Sequence, residues 1–254
     1  MNKIFIRCSS LSKVMGQCKE MITELQLEAL KKYNEKGDDL TTKQKTDRTK
    51  LQKKKDNAPT FDLSEGAKTY VRTLVREENF GGRPDISTKE MRKGTMVEDD
   101  VIELYNLVNW TKYKKNEVRL FNDHIQGECD IDSLEDDLII DIKSSWSLNT
   151  FPFLPDEINV GGYEWQGRGY MMLYDRSKFK LCYGLVDTPD ELLDYEEDLT
   201  IHHVNKEIEP EIRLTELNFR RCSKKEAQIK HKVNECRKYA NWYYQRIADK
   251  HSAN

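Results

Sequence analysis

Gly127-Glu128-Cys129-Asp130 is followed, after an acidic turn at Asp132–Asp137, by Leu138-Ile139-Ile140-Asp141-Ile142-Lys143. Side chains alternate faces along a strand, so Asp141 and Lys143 project together while Ile140 and Ile142 point the other way into a core. Two charges on one face of an apolar strand are costly to bury without partners. A divalent cation shared with Asp130 would balance them, because hard cations such as Mg²⁺ take oxygen ligands and a phosphate completes the shell. The spacing suits a hairpin in which Asp130 ends one strand and Asp141 lies midway along the return strand. Antiparallel neighbours stand about 4.5–5.5 Å apart, within reach of one ion. Such an ion polarises a phosphoryl oxygen and acidifies bound water. Lys143 would then orient or activate that water, or hold charge on the phosphate. A charged surface hairpin is the competing reading of the same residues.

The elements around this segment must position it. Lys3–Ser10 reads as a short strand running into a polar turn, and Lys19–Tyr33 as a helix. Thr41–Lys55 holds seven Lys/Arg against one Asp, a local charge of +6 with no aromatic residue. Such a run buries no core face, so residues 34–60 are expected to form a basic flexible insertion or an exposed helix closed by Pro59. Asp62 and Glu65 resemble a capping pair for a helix carrying Ala67, Val71, Leu74 and Val75, ended by Gly81, Gly82 and Pro84. A second helix is expected from about Thr88 or Gly94 to Val108. Strands follow at Glu117–Phe121, His124–Ile131 and Leu138–Lys143. A helix over Tyr163–Tyr174, a strand over Lys180–Val186, weakly patterned loop with short strands over 187–212, and a strand over Leu214–Arg221 complete the core. Ile229, Val233, Cys236, Ala240, Tyr243 and Ile247 mark a long amphipathic C-terminal helix, more suited to intramolecular packing than to a coiled coil. The order argues a single mixed α/β domain over 1–254 with a helical N-terminal elaboration.

Composition bounds the function. The 254 residues carry 42 Lys+Arg and 45 Asp+Glu, a net charge of −3, which excludes a histone-like polycation but not a nucleic-acid substrate. No apolar run approaches the roughly 20 residues of a membrane span, and no secretory leader is visible. The six cysteines form no C-x-x-C pair, so free thiols in a reducing, cytoplasmic compartment are expected. His124, His202, His203 and His231 lack zinc-hydrolase spacing, and there is no phosphate-binding loop of an ATP motor. Trp110, Trp146 and Trp165 read as core or rim, with Trp146 also able to stack on an unpaired base. The near-neutral total is expected to divide into an acidic metal centre, acidic loops such as Asp194–Asp198, and basic DNA-facing segments.

Asp130, Asp141 and Lys143 resemble the acid, acid-x-Lys signature of the PD-(D/E)xK nuclease superfamily. Two further elements match its phage lambda-type and RecB-type exonucleases. Gly94-Thr95-Met96-Val97-Glu98 resembles their Gly-x-x-x-Glu helix, with Glu98, Ile102 and Tyr105 on one face. Gln166-Gly167-Arg168-Gly169-Tyr170 resembles their Q-x-x-x-Y element, with Gln166 and Tyr170 one turn apart. The glycines there cost about 1 kcal/mol each in a helix and so suggest close packing. More weakly, Ile6-Arg7-Cys8-Ser9-Ser10 is similar to the segment with which lambda-type exonucleases begin, where a Ser binds a DNA phosphate.

This resemblance implies a restriction-endonuclease-like core: a mixed central β-sheet flanked by helices, with the helical N-terminal elaboration and the long C-terminal helix. It implies catalytic roles for Glu98, Asp130, Asp141, Lys143, Gln166 and Tyr170, with Mg²⁺ (or Mn²⁺) held by Asp130, Asp141, Ile142 and Glu98. It implies a DNA phosphate contact at Ser9; Arg7 departs from the family's small residue there but suits a phosphate chemically, and Arg168 is expected as a further phosphate contact. The activity implied is that of a 5′→3′ double-strand DNA exonuclease in phage recombination, in a bacterial or phage-infected host, acting on duplex ends. A homotrimer and a single-strand annealing protein as partner are further expectations from resemblance, with no membrane. The basic run at Thr41–Lys55 either tracks the DNA backbone or is a solvated insertion. The Cas4-like branch is disfavoured because its clustered cysteines are missing. An endonuclease or structure-specific nuclease of the same fold, a non-catalytic DNA-binding module, and a structural helical adaptor are the alternatives.

Overall fold

The computed structural model describes residues 4–82 and 87–252. Lys3 and Pro84 lie outside the described residues. The strands are β1 Ile6–Arg7, β2 Leu120–Phe121, β3 Ile125–Gly127, β4 Ile131–Ser133, β5 Leu138–Ser144, β6 Lys178–Gly184 and β7 Leu214–Arg220. The helices are α1 Leu11–Val14, α2 Glu24–Lys36, α3 Thr42–Asp56, α4 Glu65–Phe80, α5 Lys89–Met96, α6 Glu98–Asn109, α7 Tyr163–Tyr174 and α8 Ser223–Ser252. They fall into two compact units, one of Met1–Ile4, Lys13–Asn79 and His231–Asn254, the other of Phe5–Ser12 and Phe80–Lys230. Among the described residues no helix is long and apolar enough to cross a membrane.

In the second unit the order β4-β5-β6-β7 forms a mixed sheet, parallel only between β5 and β6 and antiparallel at both edges. The parallel pair requires a crossover, which α7 provides. The two faces of β5 divide as its alternation predicts. Ile140 and Ile142 pack with Val97, Val101, Ile102, Leu104 and Tyr105 of the α5–α6 region, together with Cys182 of β6. Asp141 and Lys143 leave on the opposite face, toward α7. A smaller sheet, β1-β3-β2, pairs Ile6 with Ile125 in parallel and Phe121 with Gln126 antiparallel.

In the first unit, α4 buries Ala67, Val71, Leu74 and Val75, and α8 contributes buried Val233, Cys236, Tyr239 and Ala240. Phe61 meets Tyr239 edge-on at 5.3 Å. The basic run is an exposed helix, α3, with no buried residue. It forms because Thr41 and Gln44 cap each other's backbone N–H at 3.4 and 3.0 Å and no Gly or Pro interrupts it. The acidic stretch Asp194–Asp198 lies in the other unit.

Several boundaries differ from the sequence expectation for local reasons. Helix α2 starts after Thr23, whose hydroxyl and Gln26 close a capping box, rather than at Lys19. Ser64, not Asp62, caps α4, accepting from Ala67 N at 3.2 Å. Asp62 instead pairs with Lys232 and His231, each at 2.9 Å. The helix expected up to Val108 is two helices, broken at Val97, where φ is −109° and ψ 15°. Gly94, Thr95 and Val97 are weak helix formers, so the break falls where propensity is lowest. The strand expected at Glu117–Phe121 shrinks to β2, because Asn116 Nδ2 donates to Val118 O and Cys129 O and holds that stretch by its side chain. The strand expected at His124–Ile131 divides into β3 and β4. The strand expected at Lys180–Val186 sits two residues earlier. Residues 187–212 hold 3₁₀ turns at Asp190–Leu192, Leu199–Ile201 and Pro210–Arg213. No strand forms there among the described residues, since the Asp187 carboxylate binds Val204 N and Asn205 N in place of a ladder. Trp110 is 95% exposed at the left-handed C-terminus of α6, neither core nor rim. All six cysteines are free thiols.

Candidate active site

Asp141 sits in the middle of β5 and is 1% exposed. Its Oδ1 accepts a 2.8 Å hydrogen bond from Gln166 Nε2. Its Oδ2 lies 2.6 Å from Lys143 Nζ, close enough for an ion pair, yet accepts no aligned hydrogen bond. Lys143 Nζ also donates to the Ile142 carbonyl at 3.0 Å and stands 5.3 Å above the Tyr163 ring. Burial alone would lower the Lys143 pKa. The negative charges of Asp141 and Asp130 outweigh it and hold the ammonium protonated well above the usual range.

Asp130 does not end a strand. It immediately precedes β4, where Ile131 pairs with Ile140. One step further along that register brings Asp130 opposite Asp141, so the two acids meet as the hairpin reading requires. Asp130 Oδ2 accepts from Ile142 N at 2.6 Å. Its pKa is pushed up from 3.8 to about 7, first by burial and then by the charge of Asp141, with Glu98 adding to it and Lys143 opposing. Burial, and then the neighbouring Asp141 charge, thus disfavour the ionised form of Asp130.

Glu98 is the first residue of α6, where the helix dipole favours a carboxylate. It pairs with Lys115 at 3.2 Å. Helix α7 brings the remaining partners. Tyr163, Gln166 and Tyr170 share its face at i, i+3 and i+7. Tyr170 is 4% exposed, and its hydroxyl accepts from Gln166 Nε2 at 3.4 Å. Burial and the Asp141 charge raise its pKa, so the hydroxyl keeps its proton. Two glycines make this fit possible. A Cβ on Gly167 would meet the Phe179 ring at 2.1 Å, and one on Gly127 would meet the Tyr170 ring at 2.9 Å.

The three residues expected at phosphate do not join this cluster. Arg168 points along α7 toward β7, bonding Glu164 at 3.2 Å and the Arg220 carbonyl, with its guanidinium 5.7 Å from the Phe219 ring. Arg7 lies in β1 opposite Gln126. Ser9 is exposed in the 3₁₀ turn Cys8–Ser10. Trp146 rests edge-on against His202 at 5.3 Å. Tyr163 and Lys115 went unread in the sequence. The helical spacing that singles out Gln166 and Tyr170 also singles out Tyr163, whereas nothing in the loop sequence marks Lys115.

The residues fit a hard divalent cation. Asp141 offers a buried carboxylate oxygen with no aligned donor, Ile142 offers its main-chain carbonyl, and Asp130 is strained by like charge. The Lys143 ammonium already stands between the Asp141 carboxylate and the Ile142 carbonyl, where positive charge is called for. Among the described residues no three His, Cys, Asp or Glu side chains group tightly enough to hold an ion alone. Mg²⁺ binds through one or two carboxylates and completes its shell with water and substrate phosphate.

No family model and no curated protein matches the chain. Solved structures do. The crystal structure of a phage-related exonuclease from Haemophilus somnus aligns with a TM-score of 0.76 at 27% identity, over 97% of each chain. An alkaline exonuclease, LHK-Exo, from Laribacter hongkongensis aligns at 0.55 and 12% identity, covering 96% of this chain and 94% of that one. LHK-Exo in complex with dAMP gives 0.54 at the same identity. At 12% identity the LHK-Exo likeness speaks for the fold alone. The chain has a nuclease fold, shared over almost its whole length with a phage-related exonuclease, as the resemblance of its Asp130, Asp141 and Lys143 to the PD-(D/E)xK signature implies.

Proposed function

We propose that the chain is a Mg²⁺-dependent DNA exonuclease that hydrolyses phosphodiester bonds at duplex ends, 5′→3′, in phage-type recombination. The metal-dependent hydrolysis rests on the buried Asp141 carboxylate, tied by Gln166 on one oxygen and facing Lys143 with the other, beside an Asp130 whose pKa is pushed up to about 7; the exonuclease mode rests on the likeness to the phage-related exonuclease, and the polarity on the family resemblance. Asp130, Asp141 and the Ile142 carbonyl would hold the cation, with Glu98 assisting through water. When bound, Mg²⁺ polarises the scissile phosphoryl oxygen and lowers the pKa of a bound water. Lys143 orients the attacking water and stabilises charge on the phosphate, and its raised pKa keeps it cationic for that role. Gln166 fixes the rotation of the Asp141 carboxylate. The Tyr170 hydroxyl, which keeps its proton, accepts from the same Gln166 amide and so holds it against Asp141. Burial of Asp141 keeps bulk water from screening these charges.

Duplex ends, an annealing protein as partner, a trimeric assembly and a cytoplasmic setting belong to the same reading. Alanine at Asp141 or at Lys143 should abolish Mg²⁺-dependent cleavage of linear duplex while the circular dichroism spectrum stays native. Full activity in either folded variant removes the assignment.

A further inference from the structure

Beyond β5 the chain runs through two 3₁₀ turns, Leu148–Thr150 and Pro155–Glu157, before reaching α7. These turns and β6 enclose a pocket of about 280 Å³ lined by Asn149, Thr150, Phe151, Glu157, Asn159 and Tyr183. Tyr183 is the register partner of Lys143 in the parallel β5–β6 pair. Their side chains therefore leave the sheet on the same face, and the pocket lies one strand over from the Lys143 ammonium. Tyr163 connects the two: its ring lies 5.3 Å from Lys143 Nζ and meets the Tyr183 ring edge-on at 6.4 Å.

The lining has a specific chemistry. Tyr183 and Phe151 belong to one apolar cluster with Leu185 and Val204, which supplies a fixed aromatic wall. The Thr150 hydroxyl is already spent on the Ser147 carbonyl at 3.1 Å, and the Glu157 carboxylate on Leu154 N at 3.1 Å. Asn159 Oδ1 accepts from Gly161 N at 3.2 Å, which leaves its amide N–H groups. The Asn149 amide makes no hydrogen bond among the described residues. One wall is thus aromatic, and the exposed Asn149 amide and Asn159 amide N–H groups, both in the lining, are unspent. A flat heteroaromatic ring with mixed donors and acceptors on its edge matches that pattern. Glu157 is the one charged side chain in the lining and it is negative, so a phosphate is disfavoured. The volume is at the small end for a ligand site and suits one ring system, not a stacked pair.

We infer that this pocket receives one unpaired nucleobase of the strand being cut, next to the phosphate at Asp141 and Lys143. The base stacks on Tyr183, and Asn149 and Asn159 bind its edge. The inference rests on the nuclease reading above and adds a base-contacting subsite to it.

Calorimetry on the full chain with Mg²⁺ tests it, using dAMP, dCMP, dGMP and dTMP against deoxyribose 5-phosphate. The nucleotides should bind more tightly than the base-free sugar phosphate. Tyr183→Leu should reduce that preference by roughly five- to a hundredfold, the range of one base–aromatic stack. Tyr183 sits in a central strand, so the double variant Asn149→Ala with Asn159→Ala, at exposed turns, gives a second route and should also reduce the preference. Equal binding of dAMP and deoxyribose 5-phosphate by the native chain overturns the pocket, as does an undiminished preference in the double asparagine variant. Digestion of linear duplex by the same preparations separates the two readings. Cleavage with base-independent binding sinks the pocket alone. Base-dependent binding with no Mg²⁺-dependent cleavage sinks the nuclease reading and leaves the pocket standing.

Discussion

Gly167→Ala sets two effects against each other, and the structure decides between them. Alanine in a helix interior is favoured over glycine by about 1 kcal/mol, so propensity alone predicts a more stable protein. The added Cβ, however, would lie 2.1 Å from Phe179 Cε1, 2.2 Å from Cδ1 and 2.5 Å from Cζ. Carbon atoms pack at about 3.5–4.0 Å, so the helix or the ring must yield by more than about 1 Å. Phe179 is 1% exposed, in the central strand β6, against Phe219 at 5.6 Å. The ring has no route to the surface. Overpacking of a well-filled core costs about 1–3 kcal/mol, and an overlap this deep belongs at the upper end. The net loss is then about 1–2 kcal/mol, or a drop of about 2–8 °C in Tm for a chain of this size. Gln166 adjoins Gly167, so a shift of α7 also breaks the 2.8 Å bond to Asp141. A displacement of about 1 Å at a catalytic group can cost about a hundredfold in rate. Melting curves and cleavage rates of Gly167→Ala, alone and with Phe179→Leu, provide the assay, and the second change should recover part of the loss. A single variant that melts above the native protein would refute the close-packing argument and leave propensity in charge.

Lys93 is buried and donates to Ser145 O at 2.6 Å, Thr188 Oγ1 at 2.8 Å and Val186 O at 3.1 Å. Lys93→Met leaves the Ser145 and Val186 carbonyls unpaired at about 1–3 kcal/mol each, so denaturant titration should show a loss of at least about 2 kcal/mol. Gln166→Leu deletes a hydrogen bond to a buried carboxylate worth about 1.5–3 kcal/mol, so Tm should fall by about 3–12 °C and cleavage should slow roughly ten- to a hundredfold. Asp130 gives a pH signature in metal-free protein. Its folded pKa is raised from 3.8 to about 7, so its stabilisation is full below 3.8 and lost as pH rises through about 7. Asp130→Asn should therefore gain in Tm on the native protein as pH rises across that window in chelator. A relative loss would reverse the sign and contradict it.

Much of the site was legible because short-range patterns control it. Strand alternation placed Asp141 and Lys143 on one face and Ile140 and Ile142 on the other, and helical spacing paired Gln166 with Tyr170. Helix α7 begins and ends at the residues expected. Side chains that replace backbone pairing were not legible. Asn116 holds a stretch that reads as strand, Asp187 holds a loop expected to carry short strands, and Ser64 displaced Asp62 as a cap because Asp62 found Lys232 across the unit. Nothing local in the sequence reveals the carbonyls of Ser145 and Val186 that bury Lys93. Trp110, expected at the core or its rim, terminates α6 in a left-handed conformation and is exposed.

The most direct measurement is digestion of a 5′-phosphorylated linear duplex beside a closed circle, with and without Mg²⁺. The account predicts that Mg²⁺ brings progressive loss of the linear DNA while the circle stays closed, with no loss of either in chelator. Linearisation of the circle would make the chain an endonuclease. Digestion that persists in chelator, or intact linear DNA in Mg²⁺, would contradict the metal-dependent exonuclease centred on Asp130, Asp141 and Lys143.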